Sequence, residues 1–574
     1  MKKIIQLFFT SVLFTALSFA QVYSAQQSIP AGHWIYDSLY YLNLEQKKAS
    51  VLDNAPLTVS ELYLNFQQID KDELSDSGKQ VYEKAESFFE RKKFLFDFNG
   101  AKFTANAILN PVGVIRTNSD VDWTYASAYT DAGDNYISTS AMGTVYTEPV
   151  ATFPFILDFG ELAYISVEPY AGAGPFWALT SDFYAVNIPT GKNGAEFFMW
   201  PINANASIGK CFGGWGAELN VGRQGLEVGR TKTGSILYDS AFQTDFYAQL
   251  NLYSPRIKYT MDVAQLDISR YYYMHTAELV PFSWLKLGIL EGTLIDGDFE
   301  LRYLNPLLFM HAFSGWRQYA SEEEKKNYAE AHYCAYFGWS FDITPCKYLR
   351  IYGMYAQNEI QSSVELNTDE DYSVPDSFAY QLGTEVSLPL ASGYFTTALE
   401  GIYSTPFCYL KQTQAASLAR VRESSDAPYV PGRIATWLGT PFGPDALGGQ
   451  LSAEYDVPLK FKAGAEYLFM AHGTNSFGLF DKRNPNNKEL EYYYPQAMYL
   501  QGEDPEVTKA MRTYNLTETI QYTNRISLSG EYYFMKNLSA QAKAAYSFIF
   551  NNKGHGGEFA HGLEFTVNAK YSIF

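Results

Sequence analysis

The sequence predicts an all-β protein: a large transmembrane antiparallel β-barrel of about 18 strands, preceded by a small periplasmic helical bundle that serves as a plug. Three observations lead there. The 574 residues are 47% apolar and 17% aromatic. Yet beyond the N-terminus no run of about 18 apolar residues occurs, so no spanning helix is available. Over most of the chain apolar side chains instead alternate with small or polar ones, the period of a strand whose two faces meet different surroundings. Tight turns and long connections also take turns along it, as in a barrel with short turns at one rim and long loops at the other.

Residues 1–20 read as a secretory signal peptide. Lys2 and Lys3 precede an apolar stretch from Ile4 to Phe19, and Ser18-Phe19-Ala20 supplies small residues at a cleavage point. With no Cys there, a lipoprotein is not indicated. The expected location is the cell outer membrane, with the next segment in the periplasm.

Residues 21–93 carry helical spacing. Trp34, Leu39, Leu42 and Leu44 recur along one stripe, and Leu62, Phe66 and Ile69 along another. Thr58 to Glu61 fits a capping box, in which hydroxyl and carboxylate satisfy each other's orphan amides, and Ser77 to Gln80 is a second candidate. Three short helices are expected, too small to stand without packing on something else. The charged run from Glu83 to Lys93 reads as a solvated helix face.

Residues 94–574 form the barrel. Phe94, Phe96 and Phe98 open the two-residue period, and the stretches 155–159, 347–352, 461–467 and 526–532 repeat it. Tight connections are expected at 344–347, 389–393 and 456–459, and long ones at 358–378, 404–449 and 472–522. The last strand shows an apolar face of Phe565, Val567, Ala569, Tyr571 and Ile573, one residue out of phase with the terminal Phe574. Cys211, Cys334, Cys346 and Cys408 are far apart and form no CxxC pair, so zinc and redox chemistry lack support and both free thiols and bridges stay open.

An ordered series of segments in the middle of the chain resembles the Wzi-type capsule assembly family. It begins with Val221-Gly222-Arg223 through Gly229-Arg230, continues in Gly234-Ser235-Ile236-Leu237, and departs from the family in having Val228 and Arg230 where a tryptophan and a proline are expected. His275-Thr276-Ala277-Glu278 resembles the family's His-x-x-Glu strand. Glu291 in Leu287–Gly292, Asn305-Pro306, and the Gly443-Pro444-Asp445 loop follow in order. The resemblance implies an eighteen-stranded outer-membrane barrel, closed at its inner end by a periplasmic helical bundle, that holds capsular polysaccharide in a lectin-like role.

No residue pattern supports catalysis. His275 and Glu278 are three apart on a strand, so they point to opposite faces, and a hydrogen-bonded interior residue is the expected role rather than an acid–base pair. Asn305-Pro306 is expected to end a strand, since proline lacks the ladder amide. Gly222, Gly229 and Gly234 are read as kinks or close backbone approaches, and Arg223 and Ser235 as structural neighbours of them. G-x-S-x-G, H-E-x-x-H and clustered metal-ligand spacings are absent from the sequence. The expectation is no enzyme, no cofactor and no metal.

Saccharide recognition asks for rings that stack on sugar faces and polar groups that orient hydroxyls. Candidate loops offer Trp316, Arg317 and Tyr319, then Tyr372, Tyr429 and Trp437, with Tyr409 and Tyr492–Tyr494 as further rings. The acidic stretch Thr368–Asp371 reads as a solvated loop tip. Lys+Arg 43 against Asp+Glu 62 gives a net charge of -19, which excludes phosphate-backbone binding and hence a nucleic-acid partner. The expected partners are outer-membrane lipid, surface polysaccharide and, during biogenesis, the barrel assembly machinery, with the protein a monomer. Two rivals remain at this level: a small-solute channel whose acidic interior favours cations, and a surface adhesin. A plugged barrel is expected to conduct only after residues 21–93 are deleted.

Overall fold

The computed structural model describes residues 24–573 except 91–94, 99, 122, 124–126, 130–135, 138–148, 174–182, 190–194, 198–202, 240–244, 308, 311–332, 361–375, 412–415, 424–432, 474–513 and 518. Residues 1–23, which include the expected signal peptide, and Phe574 lie outside the described residues.

One antiparallel sheet has 25 members, several of which are consecutive pieces of a single stave. Numbered by stave, β1 is Ala101–Ala105, Ile108–Leu109 and Val112–Arg116. The stave β2 is Ala151–Thr152 with Phe155–Asp158, β3 is Ala163–Val167 with Tyr170–Ala173, and β4 is Ala195–Phe197 with Ala204–Phe212. Then come β5 Trp215–Gln224, β6 Asp245–Tyr253, β7 Ile257–Asp267, β8 Arg270–Phe282 and β9 Leu285–Asp296. Beyond them are β10 Tyr333–Cys346, β11 Leu349–Glu359, β12 Ser377–Leu390, β13 Gly393–Ser404 and β14 Ala446–Val457. The last four are β15 Phe461–His472, β16 Gln521–Met535, β17 Leu538–Phe550 and β18 Phe559–Ser572. Two short members, Phe96–Phe98 and Tyr184–Val186, pair beside β1 without spanning. Merging the pieces and setting those two aside turns the 25 members into 18 staves, the expected number. Glu564↔Arg116 through Asn568↔Val112, with Tyr571↔Leu109, join β18 to β1 and close the barrel. Closure leaves the sheet no edge, which a spanning sheet requires because lipid offers no hydrogen bonds to unpaired amides.

Alternation sorts the two faces. In β5, Leu219 and Val221 are exposed while Glu218 and Asn220 are buried inside. Ile526 and Leu528 of β16, and Phe565 and Val567 of β18, repeat the outward apolar series. Among the described residues no helix is long and apolar enough to cross a membrane.

Three helices fill the rim that carries the tight turns: α1 Trp34–Glu45, α2 Val59–Phe66 and α3 Asp76–Phe89. Their apolar stripes, including Leu39, Leu42, Leu62, Phe66, Val81 and Phe88, close into one core. The turns of the wall receive them directly. Ala49 N donates to Ser283 O at 2.6 Å, Tyr348 N to Leu44 O at 2.9 Å, and Lys84 Nζ to Pro458 O at 2.8 Å. Lys84 is thus tied to the wall, an exception to the solvated face expected for its run.

Two capping expectations need correction. The cap of α3 is Ser75, whose hydroxyl accepts from Gly78 N at 3.1 Å; Ser77 lies inside the helix and donates to Ala391 O at 2.7 Å, a clip to the wall. At α2, Thr58 does cap Glu61 N at 3.4 Å, but the Glu61 carboxylate meets Lys258 of β7 at 2.7 Å. In both, a polar group near the helix start bonds the barrel: Ser77 the turn after β12, Glu61 the inner face of β7. All four cysteines are free, Cys211 and Cys346 exposed, Cys334 and Cys408 buried.

Candidate functional site

The connection after β5 leaves the rim opposite the helices, where a solvent loop is the ordinary outcome, and turns into the lumen. Glu227–Val228 pairs antiparallel with Asn54–Ala55 of the helical segment. Val228 N then bonds Tyr238 O at 3.0 Å, and Gly229 N bonds Asp53 O at 3.1 Å. Gly229 and Gly234 have φ of +98° and +86°, and a Cβ would meet Met354 at the first and Pro441 at the second. Only glycine satisfies both the dihedral and the space. On both sides of Gly234 the wall holds the segment by its backbone. Glu400 accepts from Lys232 N at 2.9 Å and Thr233 N at 2.8 Å. Gln381 accepts from Ile236 N at 3.2 Å and donates to Gly234 O at 3.0 Å. The Ser235 hydroxyl donates to Val228 O, closing the small loop.

This inward segment seeds a second core. Val228, Ile236, Leu237 and Tyr238 pack with Tyr272, Leu290 and Tyr336 of the wall, and with Phe407, Tyr409 and Leu438 from the connection between β13 and β14. Arg420 of that connection bonds Asp245 at 2.8 Å and the Trp437 carbonyl at 2.8 Å. The lumen is therefore occupied from both rims, by helices at one and by folded connections at the other. They meet around a cavity of about 320 Å³ whose lining includes Asp37, Asp53, Glu227, Arg230, Lys232 and Asp239.

Charges at this meeting are paired. Lys286 of β9 contacts Asp53 of the helical segment and lies 3.2 Å from Glu278 of β8. Arg350 of β11 bonds Asp342 at 2.5 Å, donates to Arg230 O at 3.2 Å and lies over the rings of Tyr40 and Tyr352. Asp37 meets Arg230 at 2.9 Å and Lys462 at 3.4 Å. Burial works against the Asp37 carboxylate, but Lys462 and Arg230 outweigh it and hold it well below the usual range. For Glu61 burial wins over Lys258 and pushes the carboxyl up to about 8. Burial, reinforced by Asp239, pushes Glu227 to about 8 as well. Among the described residues one acidic trio, Asp37, Glu454 and Asp456, has its oxygens within 4.8 Å. Lys462 bridges Asp37 and Glu454 within it, at 3.4 and 3.0 Å, so two of the three carboxylates are taken up in ion pairs.

The structure distributes the motif residues rather than gathering them. Gly229, Gly234 and Ser235 shape the inward segment; Gly222 lies on β5, where a Cβ would strike the backbone and side chain of its β4 neighbours. Arg223 points outward, over Phe246 at 5.1 Å. Glu278 faces inward, as its contact with Lys286 shows. His275 is not an interior residue: with Glu291 as its cross-strand partner it lies on the outer face, where the segment after β9 covers it and its Nε2 bonds Tyr303 O at 3.2 Å. Asn305-Pro306 ends no strand. It follows a single 3₁₀ turn, Leu301–Leu304, in that covering segment, and Tyr259 of the wall donates to Pro306 O at 3.3 Å. Gly443-Pro444-Asp445 is a clasp. Ser404 bonds Gly443 O at 2.7 Å, and the Asp445 carboxylate accepts from Thr517 N at 3.0 Å, tying two connections together.

Trp437, expected to stack on sugar, is 8% exposed, with Tyr409 stacked on its ring at 6.2 Å. Its faces are spent on the core, and it leaves the list of saccharide contacts. Trp316, Arg317, Tyr319, Tyr372 and Tyr429 lie outside the described residues, as do Thr368–Asp371 and Tyr492–Tyr494. The residues that tie the lumen together, Asp53, Lys286, Arg350, Gln381 and Glu400, went unnoticed in the sequence. For the four on strands the signal was parity; Asp53, off any strand, had none. Lys286 alternates with the outward Leu285, Leu287 and Ile289, which marks it as inward.

No family model matches the chain, and no curated protein matches it. Among solved structures it is similar to Wzi of Escherichia coli, described as an outer membrane protein involved in group 1 capsule assembly and a carbohydrate-binding β-barrel. The TM-score is 0.52 at 10% identity, over 94% of this chain and 98% of that one. OprD of Pseudomonas aeruginosa matches with a TM-score of 0.36 at 10% identity, over 82% of this chain and 94% of that one. An anion-selective porin from Comamonas acidovorans gives 0.33 at 9%, over 82% and 99%. At these identities the likeness to Wzi speaks for the fold.

Proposed function

We propose that this chain is an outer-membrane barrel of the Wzi type that binds or organises surface polysaccharide without catalysis, its helices on the periplasmic side. The observation that carries this reading is the doubly filled lumen. With helices at one rim and the described residues of the 225–239 and 405–445 connections folded into the other, the surface left for a ligand is at the outer loops. The same filling speaks against a small-solute channel. It also changes what deletion of residues 21–93 is expected to do: the inward connections remain, so no steady large-pore conductance follows.

The test has two arms. In planar bilayers the full-length protein stays closed, and so does the 21–93 deletion; steady conductance from the intact protein moves the assignment to a channel. In cells lacking the gene, polysaccharide is shed into the medium and complementation restores it to the surface. Unchanged glycan retention together with capture of a host protein favours an adhesin.

A further inference from the structure

Packing brings the acidic trio together at the helical rim. Asp37 and Tyr41 lie one turn apart on one face of α1. The Tyr41 ring stacks on Tyr394 of β13 at 4.8 Å, and Tyr394 is the register partner of Asp456 on β14. That stack sets α1 over the wall, so that Asp37 meets Glu454 and Asp456, which share the inward face of β14 from alternate positions. The oxygens of the three carboxylates lie within 4.8 Å of one another.

Two cations serve these three acids at ion-pair distance. Arg230 takes Asp37 at 2.9 Å, and Lys462 lies between Asp37 and Glu454. Asp456 is left over. It is 5% exposed, and among the described residues its carboxylate makes no hydrogen bond and no ion pair. Lys462 is its direct cross-strand partner on β15, yet the ammonium reaches past it to the other two acids. Lys84 acts on it only from beyond ion-pair distance, its own Nζ bonded to Pro458 O at 2.8 Å. A buried carboxylate set beside two others, with no donor of its own, persists only if something neutralises it.

Three oxygens so spaced share a centre no more than about 2.8 Å from each, close to the calcium–oxygen distance of about 2.3–2.6 Å. The set is all carboxylate, which suits a hard cation rather than a thiolate- or imidazole-seeking metal. Calcium accepts an irregular group of carboxylates completed by water, whereas magnesium asks for a near-octahedral shell. A divalent ion in the place of the Lys462 ammonium also balances the charge: together with Arg230 it matches the three carboxylates. Lys462, its side chain 36% exposed, gives up that place by turning to solvent. We propose that Asp37, Glu454 and Asp456 form a calcium site that clamps α1 to β14, with Lys462 standing in for the ion in the calcium-free form. The site rests on the fold alone and is independent of what the loops bind.

Calorimetric titration of the full-length protein in detergent, stripped with EGTA and then given calcium chloride, tests the assignment. Wild type takes up a calcium ion that Asp456→Asn binds at least about tenfold more weakly, because affinity at such sites follows the charge of the ligands. Asp456→Asn removes a charge without a partner, so it folds at least as well as wild type when calcium is absent, and heat-modifiable gel mobility verifies this. Lys462→Met removes the competitor and tightens binding. Glu466→Gln, an acid further along β15 that pairs with Lys543, leaves calcium affinity unchanged. Calcium also raises the melting temperature of wild type and slows amide exchange in α1, and does neither in Asp456→Asn. Equal calcium affinity of wild type and Asp456→Asn overturns the proposal. So does weaker binding by Lys462→Met, or melting of wild type that ignores calcium, which would leave Asp456 neutralised by a proton alone.

Discussion

Lys286→Met isolates one of the buried contacts that join the helical segment to the wall. Lys286 is buried between Asp53, on the helical segment, and Glu278, on β8, and both acids are buried with it. Methionine keeps much of the stem's volume and removes only the charge, leaving two carboxylates facing each other out of water. Breaking a buried pair this way costs about 3–5 kcal/mol. Arg350, 3.9 Å from Asp53, still offers partial compensation, which puts the expectation near the lower end. About 3 kcal/mol is roughly a hundredfold in the docking equilibrium of the helices. Hydrogen exchange in detergent reads it directly: amides of α1 exchange about a hundredfold faster, while the β8–β9 ladder holds. Adding Asp53→Asn restores at least half of the loss, because the stranded charge is gone. Exchange in α1 within about threefold of the parent, or a double variant no better than Lys286→Met, would refute the reasoning.

Titration gives a second prediction. Glu61 and Glu227, ordinarily near 4.5, rise to about 8, so the folded state keeps protons that the unfolded chain releases in between. Their contribution is complete below about 4.5 and is lost as pH rises through about 8, so urea stability falls from pH 5 to 9 and Glu61→Gln flattens the slope. Asp37 runs the other way: its depressed carboxyl stabilises above about 4 and is lost in acid, outside that window. Ser75→Ala costs about 1 kcal/mol in α3, read as faster exchange at Gly78, whereas Ser77→Ala leaves that amide protected and frees the turn at Ala391. Maleimide labels Cys211 and Cys346 in the folded protein, and Cys334 and Cys408 only after unfolding; early reaction of Cys408 would contradict the second core.

The barrel was legible because its signal is local and repeated. Leu219, Val221 and their counterparts announce the lipid face every second residue, and chain length bounds the number of staves. The helices were legible from their stripes, but Ser75 was missed because a serine two residues later fits the same capping pattern. His275 was misplaced for a different reason. Parity showed that it opposes Glu278, yet only the fold reveals that a connection lies over the outer wall and makes that face a buried one. The inward turn after β5 has no periodic signature at all. Gly229 and Gly234 are its local marks, and the partners that give those glycines meaning, Asp53, Met354 and Pro441, are remote in sequence.

The interior acids show why composition misleads about the lumen. A net charge of -19 on a barrel invites the picture of a cation-selective pore lined by carboxylates. Yet Glu278 meets Lys286, Asp342 meets Arg350, Asp245 meets Arg420, Glu385 meets Lys232, and Glu564 meets both Arg116 and Arg525. Glu400 carries no ion pair among the described residues, but it accepts the backbone of Lys232 and Thr233 at 2.9 and 2.8 Å. Each of these carboxylates is taken up by a cation or amide that fastens a helix, a connection or a neighbouring strand. A carboxylate so engaged offers little field to a passing ion, and the space in front of it is already occupied by the group it binds. The charges that would select a cation are the ones that hold the lumen shut, so selectivity and closure cannot both be built from them. That points function outward, to the long loops.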